Sequence, residues 1–139
     1  MFGSLDISTS ALVAQRINLD TIAGNVAGMH TTRDARGNPI PYRRRVALMV
    51  PGNPAVGPGA PGVHVTAVVD DPSPFPLVHD PGHPDAIKSG PRVGYVRMPN
   101  VDHSTEMVNA LQAARVYEAN VTVIETTKAL ASSSLRLLA

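Results

Sequence analysis

MVNALQAARVYEANVTVIETTKALASSSLRLL, residues 107–138, places Met107, Ala110, Ala114, Tyr117, Val121, Ile124, Lys128, Ala131, Leu135 and Leu138 at a strict 3-4 spacing. All but Lys128 are apolar, and the period is that of one face of an α-helix. Asp102 is placed to cap such a helix, and Glu106 falls in its first turn, where the helix dipole favours a carboxylate. The spacing predicts a helix from about His103 to Leu137, roughly 50 Å long at about 1.5 Å per residue. A helix of that length with a single apolar stripe needs a partner to cover it.

The nearest candidate lies at the other end of the chain. Leu5, Leu12, Leu19 and Val26 fall seven residues apart, and Ile22 and Met29 follow Leu19 and Val26 by three. That is an a/d seam, weakened at its start by Ser8 and Gln15 in the d positions. The seam predicts a helix from about Asp6 to Met29, capped by Ser4 or Asp6. Val13, Ala14 and Ile17 lie off the seam, so this helix has more than one neighbour. Gly24 and Gly28 stand four apart on a face shared with Thr21. Each glycine costs about 1 kcal/mol relative to Ala in a helix interior. Two readings stay open: fraying before a loop, or close approach to a neighbouring helix.

Between the helices the chain changes character. All 13 prolines lie between Pro39 and Pro99, and proline is excluded from helix interiors. Tyr42, Val46, Leu48 and Val50 alternate with their neighbours, as do Val63, Val65, Ala67 and Val69, which predicts two strands. Residues 51–62 join them, with eight of twelve positions Pro or Gly, and read as a flexible loop. Residues 75–79 and 94–98 are candidates for two further short strands. The pattern is α+β: long N- and C-terminal helices packed as a coiled coil, with a small Pro/Gly-rich β domain between them. The expected domains are a discontinuous helical one, 1–38 and 100–139, and a β-rich one, 39–99.

Composition removes several function classes. The 139 residues are one domain's worth, and 12 Lys and Arg against 11 Asp and Glu give no bulk positive charge for nucleic acid. With no cysteine there is no disulfide framework and no Cys-ligated zinc. No run approaches the roughly 18 apolar residues of a membrane span. Asp6 and Arg16 interrupt the start of the chain, so no cleaved secretory signal is expected.

Candidate chemistry is sparse. His79 and His83 flank Asp80, with Asp85 nearby, and all four are metal-competent types. Pro81, Gly82 and Pro84 make this a tight turn, so carboxylates accepting turn hydrogen bonds are favoured over a metal site. Arg43, Arg44 and Arg45 form the only basic run. In an alternating strand Arg44 points opposite to its neighbours, which reads as a solvated or interface-facing strand rather than a phosphate site. There is no Gly-rich phosphate loop and no nucleophile elbow. No catalytic residue, cofactor site or metal site is expected.

Residues 22–32 (IAGNVAGMHTT) resemble the N-terminal motif of the bacterial flagellar axial proteins, the rod and hook family. More specific are residues 71–75 (DPSPF), 78–85 (VHDPGHPD) and 94–101 (GYVRMPNV), followed by Glu106-Met107 and residues 114–120 (ARVYEAN). These are similar to a proximal-rod component of that family, in order and over nearly the whole chain. The resemblance implies a structural protein and not an enzyme. It implies a homo-oligomer assembled with other proximal and distal rod proteins and the rod–ring junction protein. It also implies passage through the flagellar type III export apparatus, a place in the periplasmic rod of the basal body, and no nucleic acid or small-molecule substrate. On this reading Leu5, Leu12, Leu19, Ile22, Gly24, Asn25, Val26, Gly28, Met107, Ala114, Tyr117, Val121, Ile124 and Leu135 form the assembly interface. Two other classes fit parts of the pattern: a soluble helical adaptor or export chaperone, which needs no β middle, and a small metal-binding module around His79 and His83.

Overall fold

The computed structural model describes residues 2–55, 57 and 59–138. Helix α1 spans Phe2–Gly28 and helix α2 spans His103–Leu138. Between them come strands β1 (Arg45–Pro51), β2 (Val63–Asp70), β3 (Leu77–His79) and β4 (Tyr95–Arg97). The end of α1 meets the beginning of α2 through Asn25 and Glu106, and Gln15 and Asn18 share a cleft with Gln112 and Val116. The two helices therefore pack side by side and antiparallel. At about 1.5 Å per residue α2 is roughly 54 Å long and α1 roughly 40 Å, so the last turns of α2 overhang.

The helix ends follow local chemistry at one terminus and not at the other. Asp102 caps α2 as predicted: its Oδ2 accepts from the Thr105 backbone N at 2.8 Å and from Thr105 Oγ1 at 2.6 Å. Helix α1, by contrast, begins at Phe2, so Ser4 and Asp6 lie inside its first turns and neither caps it. Its side chains are covered from two directions. Ile22 and Asn25 are buried toward α2, while Ala14 is buried beside Val63 and Val65 of β2. This is the two-neighbour helix that the off-seam apolar residues imply.

β1 and β2 form an antiparallel hairpin, Arg45 opposite Asp70 and Pro51 opposite Val63. The register shifts after Leu48–Ala67, so that Met49 pairs with Val65 and Thr66 is the extra residue of a bulge. The ladder continues into the Pro/Gly loop through Gly52 N to Gly62 O (2.8 Å) and Asn53 N to Ala60 O (3.0 Å). Val56 and Pro58 of that loop lie outside the described residues. The hairpin is pinned to α1 by Ser10, whose Oγ donates to Ile7 O and accepts from Val63 N at 3.1 Å. A Cβ on Gly62 would stand 2.6 Å from that oxygen, at a positive φ of 144°, so the close approach needs glycine. β3 and β4 form a second antiparallel pair, Leu77 opposite Arg97, around the buried Val96.

Strand β1 starts at Arg45 rather than at Tyr42. The residues before it divide their polar groups between the helices, through Tyr42 to Asn25 and Arg44 to Glu106, and the chain just after β2, through Arg43 and Arg44 to Asp71. The functional site begins with them.

Candidate functional site

Glu106 has 0% of its surface in solvent and Asn25 1%. Burying a carboxylate is costly unless it is paired and fully hydrogen-bonded, and here it is both. Arg44 Nε donates to Glu106 Oε1 at 2.8 Å, and Arg44 Nη2 pairs with the same oxygen at 2.8 Å. Asn25 Nδ2 donates to Glu106 Oε2 at 2.9 Å and to the Arg45 carbonyl at 2.8 Å. Asn25 Oδ1 in turn accepts from Arg45 N (2.8 Å) and Tyr42 Oη (3.1 Å). One amide thereby ties α1 to β1 and to α2.

The same guanidinium reaches the residue that follows β2 at the open end of the hairpin. Arg44 Nη1 contacts Asp71 Oδ2 at 3.1 Å, and the Asp71 N–H donates to the Arg44 carbonyl at 2.8 Å. The Arg44 N–H donates to Asn100 Oδ1 at 2.8 Å, and Asn100 Nδ2 donates to the carbonyls of Asp71 and Ser73. Arg43 donates to those same two carbonyls and lies 4.3 Å over the Phe75 ring. Hydrogen bonds from the Ser73 hydroxyl and N–H, then from Arg44, hold the Asp71 carboxyl down at about 2. Burial pulls the Arg44 guanidinium down, but its bonds to Glu106 and Asp71 outweigh that and raise it. Arg44 is thus not a solvated strand residue. It is the cation between two carboxylates that fixes the β region on the helices.

Glycine 28 completes this joint. A Cβ there would lie 2.6–2.8 Å from Cγ, Cδ1 and Cδ2 of Tyr42, below any ordinary contact. The close approach is to an aromatic ring within the same chain, not to a neighbouring helix. Gly24 differs: a Cβ would meet only Tyr42 Oη at 3.8 Å, an ordinary distance, and the residue is exposed.

The histidine turn is held by its own contacts. Asp80 Oδ1 accepts from Gly82 N at 3.2 Å, as turn chemistry predicts. Asp85 does something else: it accepts from Thr32 Oγ1 and Arg33 Nε, each at 2.8 Å, and so ties the turn to the segment after α1. The Thr32 hydrogen bond, against the opposing effect of burial and with help from Arg33, holds its carboxyl below the usual range. His79 packs edge-on against Tyr95 at 5.0 Å, and His83 Nδ1 accepts from Asp85 N. Among the described residues no three His, Asp or Glu side chains gather as metal ligands.

The predicted interface residues divide by exposure. Ile22, Asn25 and Gly28 are buried within the chain, while Leu5, Leu12, Leu19, Val26, Ala114, Tyr117, Val121 and Ile124 are half-buried between elements. Gly24, Met107 and Leu135 are exposed. At the start of α2 the covered face runs through Glu106 and Ala113, one residue back from the predicted Met107 and Ala114. Pairing with Asn25 and Arg44 turns Glu106 inward, and Met107 is carried outward. A second apolar face of α2, including Val108, Leu111, Val123 and Leu130, is left uncovered. Sequence reasoning placed Glu106 only as a dipole partner. The available signal was a carboxylate next to one stripe and an Asn next to the other.

Residues 92–137, which include β4 and nearly all of α2, match the family described as flagellar basal body rod FlgEFG protein C-terminal. Over 99% of its length the chain is 40% identical to the flagellar basal-body rod protein FlgC of Borreliella burgdorferi, covering 97% of that relative. The chain belongs to the FlgC family of flagellar basal-body rod proteins. The FlgC of Bacillus subtilis is 40% identical over 98% of the chain and 97% of the relative, and that of Yersinia enterocolitica 44% over 95% and 93%. In this FlgC-family chain the polar joint lies beside uncovered apolar helix residues, and the comparisons do not favour an adaptor or export chaperone.

Proposed function

We propose that the chain is a structural subunit of the proximal rod of the bacterial flagellar basal body. The observation that carries this is near-full-length similarity to rod proteins in a fold that leaves a long helix apolar on its outer face. Residues 1–38 and 100–139 form the rod core, packing as a coiled coil with neighbouring subunits around the export channel. Residues 39–99 form the outer β domain. Helically assembled with the other rod proteins and joined to the rod–ring junction protein, such subunits transmit torque as a drive shaft that encloses the export channel. The subunit reaches the periplasmic rod unfolded, through the flagellar type III apparatus, and the absence of cysteine leaves no disulfide to impede threading. The half-buried seam residues of both helices and the exposed Gly24, Met107 and Leu135 are the assembly surface.

Imaging isolated basal bodies carrying a labelled copy of the subunit tests this. Label in the rod, with motility lost on deletion of the gene and restored by the labelled copy, is the expected result. Basal bodies complete without label, or motility indifferent to the deletion, would overturn it.

A further inference from the structure

The β1–β2 hairpin is held to the helices unevenly along its length. On the near side of the bulge, where residues 45–48 pair with 67–70, the ties are many. Asn25 bonds both backbone groups of Arg45, Tyr42 reaches Asn25, and Arg44, just before β1, joins Glu106 to Asp71. On the far side, among the described residues, one hydrogen bond joins α1 to the hairpin: Val63 N donates to Ser10 Oγ at 3.1 Å.

Beyond the bulge the hairpin is bound chiefly to itself. Gly52 N donates to Gly62 O, Asn53 N to Ala60 O, and His64 Nδ1 to Gly52 O at 3.0 Å. Residues 49–53 and 60–65 therefore form a unit that hydrogen-bonds α1 only through Ser10. Its packing on the helix is incomplete. A cleft of about 440 Å³ remains between them, walled by Val13, Ala14 and Ile17 below and by Val63 and Val65 above. Val13 keeps 57% of its surface in solvent, while Ala14 is 1% exposed. The bulge at Thr66 interrupts the ladder where the two parts of the hairpin meet, and a bulge leaves one residue unpaired and bends its strand. We propose that the hairpin beyond the bulge is a hinged arm. It turns about Met49 and Thr66, is latched on α1 by Ser10, and uncovers Ala14 on opening while the part before the bulge stays on the helices. A weakly tied unit of this kind opens well below the free energy of global unfolding.

The chain has no cysteine, so a single thiol reports the opening by its rate of modification with a maleimide in the purified full chain. Ala14→Cys places that thiol under the arm. Ile22→Cys places it on the same helix, buried beside Arg45 and Val46 of the part before the bulge. The urea dependence of each rate is compared with the urea unfolding curve of the same variant, since the slope follows the surface exposed. The Ala14→Cys rate is expected to change little with urea below the unfolding transition, and the Ile22→Cys rate to follow the full global slope. Adding Ser10→Ala removes the latch. The loss of one hydrogen bond should speed Ala14→Cys modification about threefold to tenfold, whereas Ser10→Thr, which keeps the hydroxyl, should leave the parent rate. An Ala14→Cys rate with the global slope would mean that no arm opens. A shallow slope at both sites would mean that the whole hairpin lifts and the bulge is not a hinge. An Ala14→Cys rate indifferent to Ser10→Ala would remove the latch. Each of these overturns the inference.

Discussion

At the end of the helical hairpin where α1 meets the start of α2, the fully buried side chains are a carboxylate and an amide, Glu106 and Asn25. At the other end Leu130 and Leu135 keep 61% and 69% of their surface in solvent. This inverts the usual placement, in which buried polar groups and exposed apolar ones are the exceptions that carry information. The joined end is complete within one chain: Glu106, Arg44, Asn25 and Asp71 satisfy one another, and no buried side-chain polar atom among the described residues lacks a partner. The free end is not complete. Its Thr122, Thr126, Thr127 and Ser134 hydroxyls donate to the carbonyl four residues earlier. Such residues are modest helix formers, so this half of α2 depends on packing that a single chain supplies only in part. One end fixes the shape of the subunit, and the other is open to its neighbours.

The largest expected effect comes from breaking the joined end. Glu106→Ala takes one acceptor from the half-buried Arg44, which keeps Asp71, and one from Asn25, which keeps the Arg45 carbonyl. The loss should therefore lie near the lower end of the range of about 3–5 kcal/mol for breaking a buried ion pair. Urea unfolding of the purified chain should show a loss of that size, and a loss below about 1 kcal/mol would mean that the joint is not what holds the β region on the helices. Gly28→Ala comes next. Its methyl group would push into the Tyr42 ring, and overpacking typically costs about 1–3 kcal/mol. Gly24→Ala sharpens the contrast, since it meets no clash and gains up to about 1 kcal/mol of helix propensity. The two substitutions, four residues apart, should shift the unfolding midpoint in opposite directions.

Acid should loosen the same end. The folded Asp71 carboxyl titrates at about 2, below its ordinary 3.8. A depressed carboxylate contributes stability that is full above the unfolded value and is lost as pH falls through the folded one. Stability should therefore decline between about pH 4 and pH 2, and Asp71→Asn should flatten part of that decline in unfolding curves recorded across this range. The smallest effect on the single chain belongs to the free end. Leu135→Ala should change monomer stability by no more than about 0.5 kcal/mol, as at other exposed positions, while lowering the amount of subunit in isolated basal bodies.

The contrast between the ends also explains what could be read from sequence. The extent of α2, the existence of α1 and the two main strands, and the Asp102 cap depend on residues within a few positions of one another, and the periodicities and turn residues record them. The starts of α1 at Phe2 and of β1 at Arg45 carry no such signal. Nor does the joint. Glu106 meets Asn25 across 81 positions and Arg44 across 62, and a single pairing at such separation leaves no period. The inward turn of Glu106 in place of Met107 follows from that pairing, so the stripe was right in spacing and one residue off in phase where α2 begins. For Gly24 and Gly28 alike the sequence left close approach as one of two open readings, and only Gly28 has it. What it approaches, the Tyr42 ring, became visible only with the chain folded back on itself.

Amide hydrogen exchange, followed residue by residue in α2, tests most directly the claim that one end is complete and the other waits for neighbours. In the purified monomer, slow exchange is expected over about residues 106–117, where Asn25 and Arg44 hold the helix, and fast exchange beyond about residue 125. In isolated basal bodies the second segment should become protected while the first changes little. Uniform protection along α2 in the monomer, or a far half that exchanges as fast in basal bodies as in the free chain, would contradict the account.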